Sequence, residues 1–306
     1  MRKLRIVFMG TPEFAVPMLE TLCNSAHEVV GVVTAPDKPA GRGMQLSESE
    51  VKVCALKHHL KILQPEKLKN PEFLAGLSQL QADMFVVVAF RMLPEVVWNM
   101  PPLGTINLHA SLLPQYRGAA PINRAIMNGE KETGVTTFFL QHEIDTGKII
   151  FSERVKIRED ETAGELYQEL MELGAGVLLR TVNAIATGQY PQTAQDHITA
   201  IQHAPKIFKD DCRINWNNST KHIYNQIRGL SPYPAAFTTL DNKNFKILNA
   251  KAIPGANSKQ PYHTDGHSYL RFNCSDGQID VLECQMEGKK KMTIGDFLRG
   301  YKLIPL

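Results

Sequence analysis

The sequence predicts an α/β protein: an open, mostly parallel Rossmann-like sheet with helices on both faces, plus a small C-terminal OB-like β-barrel domain. Three observations support this fold class. Apolar runs without polar alternation recur through the first 155 residues, which is typical of parallel strands buried on both faces. Helical patterns separate those runs, as helices separate the strands of a parallel sheet. Beyond residue 205 the strand-like stretches are short and divided by turn residues, which is typical of a small β-barrel.

The elements of the first domain follow from its apolar spacing. We expect strands at Leu4–Met9, Val29–Val33, Met84–Ala89, Thr105–His109, Val135–Leu140 and Lys148–Val155. Apolar residues at helical spacing predict a helix over Phe14–Ser25. Thr162-Ala-Gly-Glu165 has the pattern of a capping box, in which two side chains bond each other's backbone N–H groups. It predicts a long helix that ends near Gly188.

The second domain begins after a polar segment that has no clear period. A helix is expected near Ser219–Ile227, and strands at Ala236–Leu240, Phe245–Ala252, Tyr269–Phe272 and Gln278–Gln285. The turn pairs Asp241-Asn242, Asp265-Gly266 and Asp276-Gly277 separate those strands. We therefore predict one domain over residues 1–188, a linker over 189–206 and a second domain over 207–306.

Composition excludes several classes of protein. Of the 306 residues, 43% are hydrophobic and 21% are charged, which excludes disordered, collagenous and coiled-coil proteins. No apolar run approaches the roughly 18 residues of a membrane helix, so we expect no membrane partner. The five Cys are scattered and never form a Cys-x-x-Cys pair, which disfavours disulfides and a zinc ribbon. A cytoplasmic location is the natural expectation.

Charge is distributed unevenly along the chain. The net charge is +3, but residues 206–306 carry 15 Lys and Arg against 9 Asp and Glu, a net charge of +6. A positive second domain indicates a polyanionic partner. An ordinary lysine-rich surface explains the same numbers, and charge alone does not separate the two hypotheses.

A long segment after the second strand is rich in proline and glycine. Thr34–Met44 sets Lys38 and Arg42 among two prolines and two glycines, and we expect an irregular loop there rather than a helix or a strand. Its composition fits a loop that clasps a polyanion, because proline limits disorder and glycine permits close approach to a ligand. A tolerated surface insertion is the alternative.

Asn107 and His109 are the strongest candidates for chemistry. Residues two apart in a strand face the same way, so both side chains project together near the carboxyl end of Thr105–His109. An amide donor beside an imidazole suits acyl transfer, because one group stabilises an oxyanion while the other moves a proton. Asp145 lies between two predicted strands and either caps a turn or approaches His109.

Several motifs resemble those of the folate-dependent formyltransferases. The resemblance rests on Asn107-Leu-His109, Ser111-Leu-Leu-Pro-Gln-Tyr-Arg-Gly118 and Asp145-Thr-Gly147. It extends over nearly the whole chain through further segments: Gly10-Thr-Pro-Glu-Phe14, Lys38-Pro-Ala-Gly-Arg-Gly43, Ile214-Asn-Trp216 and Pro232-Tyr-Pro234.

The resemblance implies a reaction, its substrates and a set of site residues. The formyl donor is 10-formyltetrahydrofolate, and the acceptor is the α-amino group of the methionine on initiator tRNA. Neither a metal nor a covalent intermediate is required, and we expect a monomer. Implied catalytic residues are Asn107, His109 and Asp145. The implied folate-binding residues are Ser111, Leu112, Leu113, Pro114, Phe90, Arg91, Met92 and Leu93, and the implied tRNA-binding residues are Lys38 and Arg42.

Other functions remain open at this stage. Relatives within the family act on sugar-nucleotide amines through the same donor site. A tRNA-binding protein without activity is a second alternative. A dinucleotide-dependent oxidoreductase is a third, weakened because Gly10 stands alone where the fingerprint requires Gly-x-Gly-x-x-Gly. One stretch departs from the family: Ser47-Glu-Ser-Glu-Val-Lys52 stands where Pro-Ser-Pro usually precedes Val-Lys, which makes it less rigid and less positive.

Overall fold

The computed structural model describes residues 2–40, 45–195, 200–255 and 260–303. These residues form two compact units that alternate along the chain. The first unit comprises Met1–Gly118, Thr133–Val155 and Tyr167–His203, and the second comprises Ala119–Glu132, Lys156–Leu166 and Ala204–Leu306. The expected contiguous division at residues 188 and 207 stays a prediction about domains. In the structure, two short segments that precede residue 188, Ala119–Glu132 and Lys156–Leu166, belong to the second compact unit.

Ten of the strands in the described ranges lie close to the predicted positions, and the other seven, each of two or three residues, were not predicted. In chain order the strands are β1 (Arg5–Gly10), β2 (Glu28–Val33), β3 (Lys38–Ala40), β4 (Gln45–Ser47), β5 (Ile62–Leu63), β6 (Met84–Val88), β7 (Thr105–His109), β8 (Arg117–Gly118), β9 (Glu132–Phe139), β10 (Ile149–Lys156), β11 (His203–Ala204), β12 (Ala236–Leu240), β13 (Lys243–Pro254), β14 (Tyr262–Thr264), β15 (Leu270–Asn273), β16 (Gly277–Met286) and β17 (Met292–Thr293).

The helices of the described chain fall between these strands. They are α1 (Val16–Cys23), α2 (Glu50–Lys57), α3 (Pro71–Ser78), α4 (Glu95–Trp98), α5 (Pro121–Met127), α6 (Ala163–Thr187), α7 (Thr220–Leu230) and α8 (Ile294–Gly300). The helix expected over Phe14–Ser25 is a short 3-10 turn at Glu13–Ala15 that continues into α1.

The first unit is built on a seven-stranded sheet in the order β10-β9-β7-β6-β1-β2-β5. Strands β5, β2, β1, β6 and β7 run parallel to their neighbours, while β9 is antiparallel to β7. All five side chains of β6 are buried, which explains why the sequence shows an apolar run there without alternation. The predicted mostly parallel sheet is confirmed.

Helices cover both faces of this sheet. On one face, Val7, Met9 and Val87 pack in a core with residues of α3 and α4. On the other face, Leu108 and Met18 lie against Gly174 of α6, where any Cβ would overlap the Met18 side chain. The register pairs Met9 with Val87 and Val87 with Asn107, so Asn107 and His109 share the face that α3 and α4 cover.

Helix α6 begins at the predicted capping box. The Thr162 backbone N–H donates to Glu165 Oε2 at 2.8 Å, and the Glu165 N–H donates to Thr162 Oγ1 at 3.3 Å. The Thr162 N–H and the Thr162 hydroxyl, which both donate to Oε2, lower the pKa of the Glu165 carboxyl because they stabilise its charged form. The helix ends before Gly188, which has a φ of +72°. Its start and its end are therefore both confirmed.

Helix α6 also has the length and composition of a membrane-spanning helix. Its most apolar 18-residue window has a mean hydropathy of 1.2, and half of that window is buried inside the protein. The core helix of a soluble protein passes the same test. Glu172 and Arg180 interrupt the apolar pattern, which is why the sequence shows no unbroken run of this length.

The segment expected to be an irregular loop contains a hairpin, so that expectation was wrong. Backbone pairing joins Lys38 to Ser47 and Pro39 to Leu46 in an antiparallel ribbon. Both strands of a two-stranded ribbon are edge strands. Proline, which has no backbone N–H, is tolerated at Pro39 because no further strand pairs with the outer side of the ribbon. Arg42, between the two strands, lies outside the described residues.

The second unit contains the predicted small β-domain as an antiparallel half-barrel. Its sheet has the order β12-β13-β16-β15-β14, with β17 paired to β16. The 12-residue strand β13 shifts register against β16 at Ile247/Asn249 and at Asn249/Ala250, and such bulges bend a strand. Asp241 and Asn242 both have positive φ, which produces the tight turn that the sequence predicts between β12 and β13.

Replacing Thr162 with Ala removes the capping box, so we expect the free energy of unfolding to fall by about 1 kcal/mol near neutral pH. The pKa of Glu165 is lower in the folded protein, so its contribution is present above the ordinary carboxyl pKa and is lost as pH falls. Urea unfolding should therefore show a smaller difference between variant and wild type at acid pH. Thr187→Ala, at the exposed far end of α6, is the control, with an effect within about 0.5 kcal/mol. Equal effects at the two sites would contradict the prediction.

Candidate functional site

The candidate site lies at the carboxyl end of the parallel sheet in the first unit. Strands β6 and β7 are parallel neighbours that end at Val88 and His109, so the loops that follow them start side by side. Open α/β sheets bind their ligands at this edge. The structure therefore brings together the two chain segments that hold most of the predicted site residues.

His109 has one ring nitrogen bonded within the protein and one directed at a carboxylate. Its side chain is 8% exposed, and Nε2 donates a hydrogen bond to the backbone oxygen of Tyr116 at 2.8 Å. A carbonyl oxygen only accepts, so Nε2 carries a proton in every protonation state. Nδ1 lies 3.8 Å from Asp145 Oδ2, close for an ion pair but too long for a direct hydrogen bond. Nδ1 is thus the nitrogen that can exchange a proton.

Asp145 is held by its backbone as much as by its side chain. Its φ is +55°, and its Oδ2 accepts a hydrogen bond from the Gly118 N–H at 3.0 Å. A Cβ on Gly147 would overlap the backbone oxygen of Phe139, so only glycine lets the chain pass there. The Asp-Thr-Gly motif is therefore a compact turn that points its carboxylate at His109. Of the two roles that the sequence left open, the structure places Asp145 beside the imidazole.

Asn107 lies on the same face of β7 as His109, and its side chain is half-buried. Within the part of the chain that the structure describes, its amide forms no hydrogen bond to another residue. The amide of a half-buried asparagine needs partners, because burial without hydrogen bonds is costly. Its donors are therefore available to a ligand at the carboxyl edge.

In the segment Ser111–Pro114, two side chains are buried and two are half-buried. Ser111 is fully buried and donates its hydroxyl to the Gln115 oxygen at 2.6 Å, and Leu113 is 7% exposed. The Leu113 N–H donates to Thr136 Oγ1. Leu112 and Pro114 are half-buried, so they are the two side chains of this segment with surface left to offer a ligand.

The segment Phe90–Leu93 follows β6 directly. Phe90 is half-buried, Arg91 and Met92 are exposed, and Leu93 is 8% exposed. The Arg91 guanidinium donates to the backbone oxygens of Pro65 and Glu66 and lies over the Phe90 ring. Partial burial lowers the pKa of that guanidinium. Arg91 thereby fixes the loop, and the backbone of the segment stays at the sheet edge.

Lys38 is exposed on β3, consistent with a contact to a partner, while Arg42 lies outside the described residues. The departure from the family pattern at 47–52 has a structural effect. Lys52 forms ion pairs with Asp37 and with Glu48, the latter at 2.8 Å. Its charge is therefore neutralised locally, so the stretch adds little positive charge to the hairpin.

Gln195 is the site residue that sequence reasoning missed. Its Nε2 donates to the backbone oxygens of Asp145 and Gly147, and its Oε1 accepts from the Arg117 guanidinium. The residue lies in the segment expected to be a linker, where no periodicity or motif marks it. Only its contacts identify it.

One group of metal-ligating atoms occurs in the described ranges, away from this site. Atoms of Glu20, Cys54 and His58 lie within 4.8 Å of one another on α1 and α2. Glu20 accepts hydrogen bonds from His58 Nε2 at 2.6 Å and from Cys54 Sγ at 3.3 Å. Burial raises the pKa of Cys54 to about 12, which opposes formation of the thiolate that a metal requires. The cluster bridges two helices, and the expectation of no metal stays a prediction.

The fold is that of the formyltransferases. The family model described as Formyl transferase matches residues 4–182, and the model described as Formyl transferase, C-terminal domain, matches residues 206–302. The chain belongs to the formyl transferase family. Within that family it is similar, over nearly its whole length, to proteins named methionyl-tRNA formyltransferase. The resemblance stated from the sequence motifs is thereby confirmed.

These relatives come from several bacteria. The protein of Bacteroides fragilis is 50% identical over 310 residues, which are 98% of this chain and 96% of the relative. The protein of Parabacteroides distasonis is 51% identical over 315 residues, 98% of this chain and 97% of the relative. That of Flavobacterium johnsoniae is 49% identical over 305 residues, with coverage of 98% and 97%.

Solved structures share the fold at lower identity. An N-formyltransferase from Helicobacter canadensis, in complex with folinic acid and dTDP-3-aminofucose, has a TM-score of 0.69 at 20% identity and covers 94% of this chain and 100% of that chain. HypX from Aquifex aeolicus in complex with tetrahydrofolic acid has a TM-score of 0.66 at 18% identity and covers 100% of this chain and 49% of that chain. At these identities the likeness shows the fold alone.

Replacing Gly147 with Ala should displace the Asp145–Gly147 turn, because the added methyl group would overlap the Phe139 oxygen. We expect the free energy of unfolding in urea to fall by about 1–3 kcal/mol. Gly176→Ala is the matched control, since nothing lies within 4 Å of its Cβ position and alanine favours the helix. It should leave stability unchanged or raise it by up to about 1 kcal/mol. Equal stability of the two variants would show that Phe139 does not confine the turn.

Proposed function

We propose that this protein transfers the formyl group of 10-formyltetrahydrofolate to the α-amino group of methionyl initiator tRNA. The observation that carries the proposal is the placement of Asn107, His109 and Asp145 at one sheet edge, in a chain whose relatives of about 50% identity are named methionyl-tRNA formyltransferase. We propose further that it acts in the cytoplasm as a monomer without metal.

Asn107 and His109 are proposed to stabilise the oxyanion of the reaction. Attack of the methionine amine on the formyl carbon places negative charge on the formyl oxygen. Among the residues that the structure describes, the Asn107 amide has no hydrogen-bond partner, so its donors are available on the face that it shares with His109. The Nδ1–H of a protonated His109 is the second donor. Because both groups are set by β7, they need no reorganisation when the charge develops.

Asp145 is proposed to support the positive charge on the imidazole and to relay a proton. Its carboxylate lies 3.8 Å from Nδ1, a distance at which it stabilises the imidazolium electrostatically and at which a reacting amine or water fits alongside. The amine loses a proton as it acylates, and the departing folate nitrogen gains one. His109 and Asp145 together provide a path between the two nitrogens.

The residues at the sheet edge fit a folate donor, which supplies the formyl carbon. The Phe90–Leu93 segment offers backbone N–H and C=O groups for a flat heterocycle, and Arg91 holds it in place. Leu112 and Pro114 offer apolar surface next to His109. Ser111 and Leu113 are buried, so their proposed contribution is to position the segment through the bonds to Gln115 and Thr136.

Binding of the tRNA acceptor is proposed to involve two basic surfaces. Lys38 is exposed on the hairpin that also carries Arg42, and residues 206–306 carry a net charge of +6. Each phosphate neutralised by such groups releases counterions, so affinity should fall as salt rises. Lys52 is paired with Asp37 and Glu48, so its charge is neutralised locally. Lys38 and Arg42 are therefore the positive residues of this region that we propose to contact tRNA.

The test of the proposed function is an assay of the pure protein with the formyl donor and each acceptor. Formylation of initiator methionyl-tRNA, with no transfer to a sugar-nucleotide amine, supports the proposal. Transfer to the sugar amine alone would replace it with the activity named for the Helicobacter canadensis structure. Binding of tRNA without transfer of formyl would identify a tRNA-binding protein.

Replacing Asn107 with Ala should lower turnover by about 100- to 1,000-fold, because one oxyanion donor is lost. Binding of the donor, measured by calorimetry with a folate analogue, should stay within about twofold, since the interaction forms in the transition state. Asn99→Ala, at the exposed end of α4, is the control and should leave both quantities unchanged. Near-normal turnover of Asn107→Ala with intact donor binding would reject its role.

Replacing Arg42 or Lys38 with Ala should raise the KM for tRNA while sparing donor binding. Loss of one phosphate contact should also reduce the slope of log affinity against log salt by about 0.7–0.9. The measurement is KM for methionyl-tRNA at several salt concentrations, beside a donor titration. Lys3→Ala, an exposed lysine paired with Glu28, is the control. Equal loss of donor and tRNA binding would count against a specific tRNA contact.

A further inference from the structure

We propose that Gln195 is a positioning residue of the formyl-transfer site, which holds the His109–Asp145 pair at its working distance without touching substrate. This inference rests on the proposed function. Gln195 lies outside the sequence motifs and outside the strands of the sheet. Its role is inferred from the four hydrogen bonds of its side-chain amide.

The Gln195 amide uses all of its hydrogen-bonding capacity. Nε2 donates to the backbone oxygen of Asp145 at 2.9 Å and to that of Gly147 at 2.8 Å. Oε1 accepts from Arg117 Nε at 3.1 Å and from the guanidinium Nη2 at 2.7 Å. A primary amide has two donor hydrogens and one oxygen with two lone pairs, so no group is left over for a ligand.

The partners of Gln195 belong to two different segments of the site. In one segment, the Asp145 and Gly147 carbonyls fix both ends of the turn that carries the carboxylate. In the other segment, Arg117 follows Tyr116, whose oxygen accepts from His109 Nε2, and precedes Gly118, whose N–H donates to Asp145. One amide thus ties the segment that orients the imidazole to the turn that carries the carboxylate.

The position of Gln195 is itself fixed by the backbone. Thr193 and Ile149 exchange hydrogen bonds at 2.8 and 2.9 Å, which attaches this segment to the first residue of β10. Asp145 needs such support because it holds a positive φ, a backbone conformation that is strained for residues other than glycine. Without the amide, the Asp145–Gly147 turn keeps the Gly118 bond as its contact to residues 116–118.

No other side chain reproduces this set of contacts. Glutamate keeps the acceptor for Arg117 but loses both donors and places a carboxylate against two carbonyl oxygens. Lysine supplies donors but has no acceptor, and asparagine is one methylene shorter. Substitutions at 195 can therefore separate the Arg117 half of the bridge from the Asp145 half.

The proposal predicts a loss of turnover with little change in substrate binding. Gln195→Ala should lower kcat by about 10- to 100-fold, because a displacement of about 1 Å in a reacting group costs that much, while KM for donor and tRNA changes less than threefold. Gln195→Glu should lose a similar factor although it keeps a partner for Arg117. Gln192→Ala, the exposed glutamine of the same segment, is the control and should keep wild-type kcat.

A double-mutant cycle with Asp145 separates positioning from a purely structural role. If Gln195 acts through Asp145, then Gln195→Ala should cost less than threefold in kcat once Asp145→Asn is present. The pH dependence of kcat should change shape in the same way in both single variants. Full additivity of the two losses, a loss confined to KM, or wild-type kcat in Gln195→Ala would each overturn the proposal.

A readout independent of activity keeps this proposal distinct from the proposed function. Amide hydrogen exchange at Asp145–Gly147 should be at least tenfold faster in Gln195→Ala than in Gln192→Ala, while exchange in the buried strand β6 stays equal, which also shows that the variant folds. An inactive wild-type protein would refute the proposed function and remove the catalytic part of this inference. Equal exchange in the two variants would refute the role of Gln195 whatever the activity.

Discussion

The hydrogen bond from His109 Nε2 to the backbone oxygen of Tyr116 determines how the rest of the site is arranged. Because that carbonyl only accepts, one imidazole nitrogen is permanently a donor and the other must carry all proton exchange. Nδ1 then faces the Asp145 carboxylate across 3.8 Å. This single bond therefore sets which imidazole nitrogen faces the carboxylate.

The site is assembled from segments that are distant along the chain. Strand β7 supplies Asn107 and His109, the turn before β10 supplies Asp145, and Gln195 comes from the segment after α6. The parallel sheet places the ends of β6 and β7 side by side, and a turn confined at Gly147 brings the carboxylate into reach. Strand β7 and one turn therefore carry the three candidate groups, and the rigid sheet holds the strand from which two of them project.

The fold alone does not select the acceptor. The N-formyltransferase structure in complex with folinic acid and dTDP-3-aminofucose shares this architecture with a TM-score of 0.69 at 20% identity, and at that identity the likeness identifies the fold and not the acceptor. Relatives of about 50% identity over nearly the whole chain share a single name. Side chains, rather than the course of the backbone, are therefore expected to select the acceptor. In this chain the exposed Lys38 and the positive second unit are the features whose chemistry fits a polyanionic acceptor.

The sequence by itself determined the parallel sheet, the capped helix α6 and the common face of Asn107 and His109, because these depend on periodicity, capping residues and spacing within one strand. Its motifs identified the family by resemblance. The catalytic roles stay predictions. Only the tertiary structure revealed the hairpin at Lys38, the use of each imidazole nitrogen and the contacts of Gln195. Those features depend on hydrogen bonds between segments far apart in the chain, and local sequence patterns contain no information on which distant backbone carbonyl a side chain will meet.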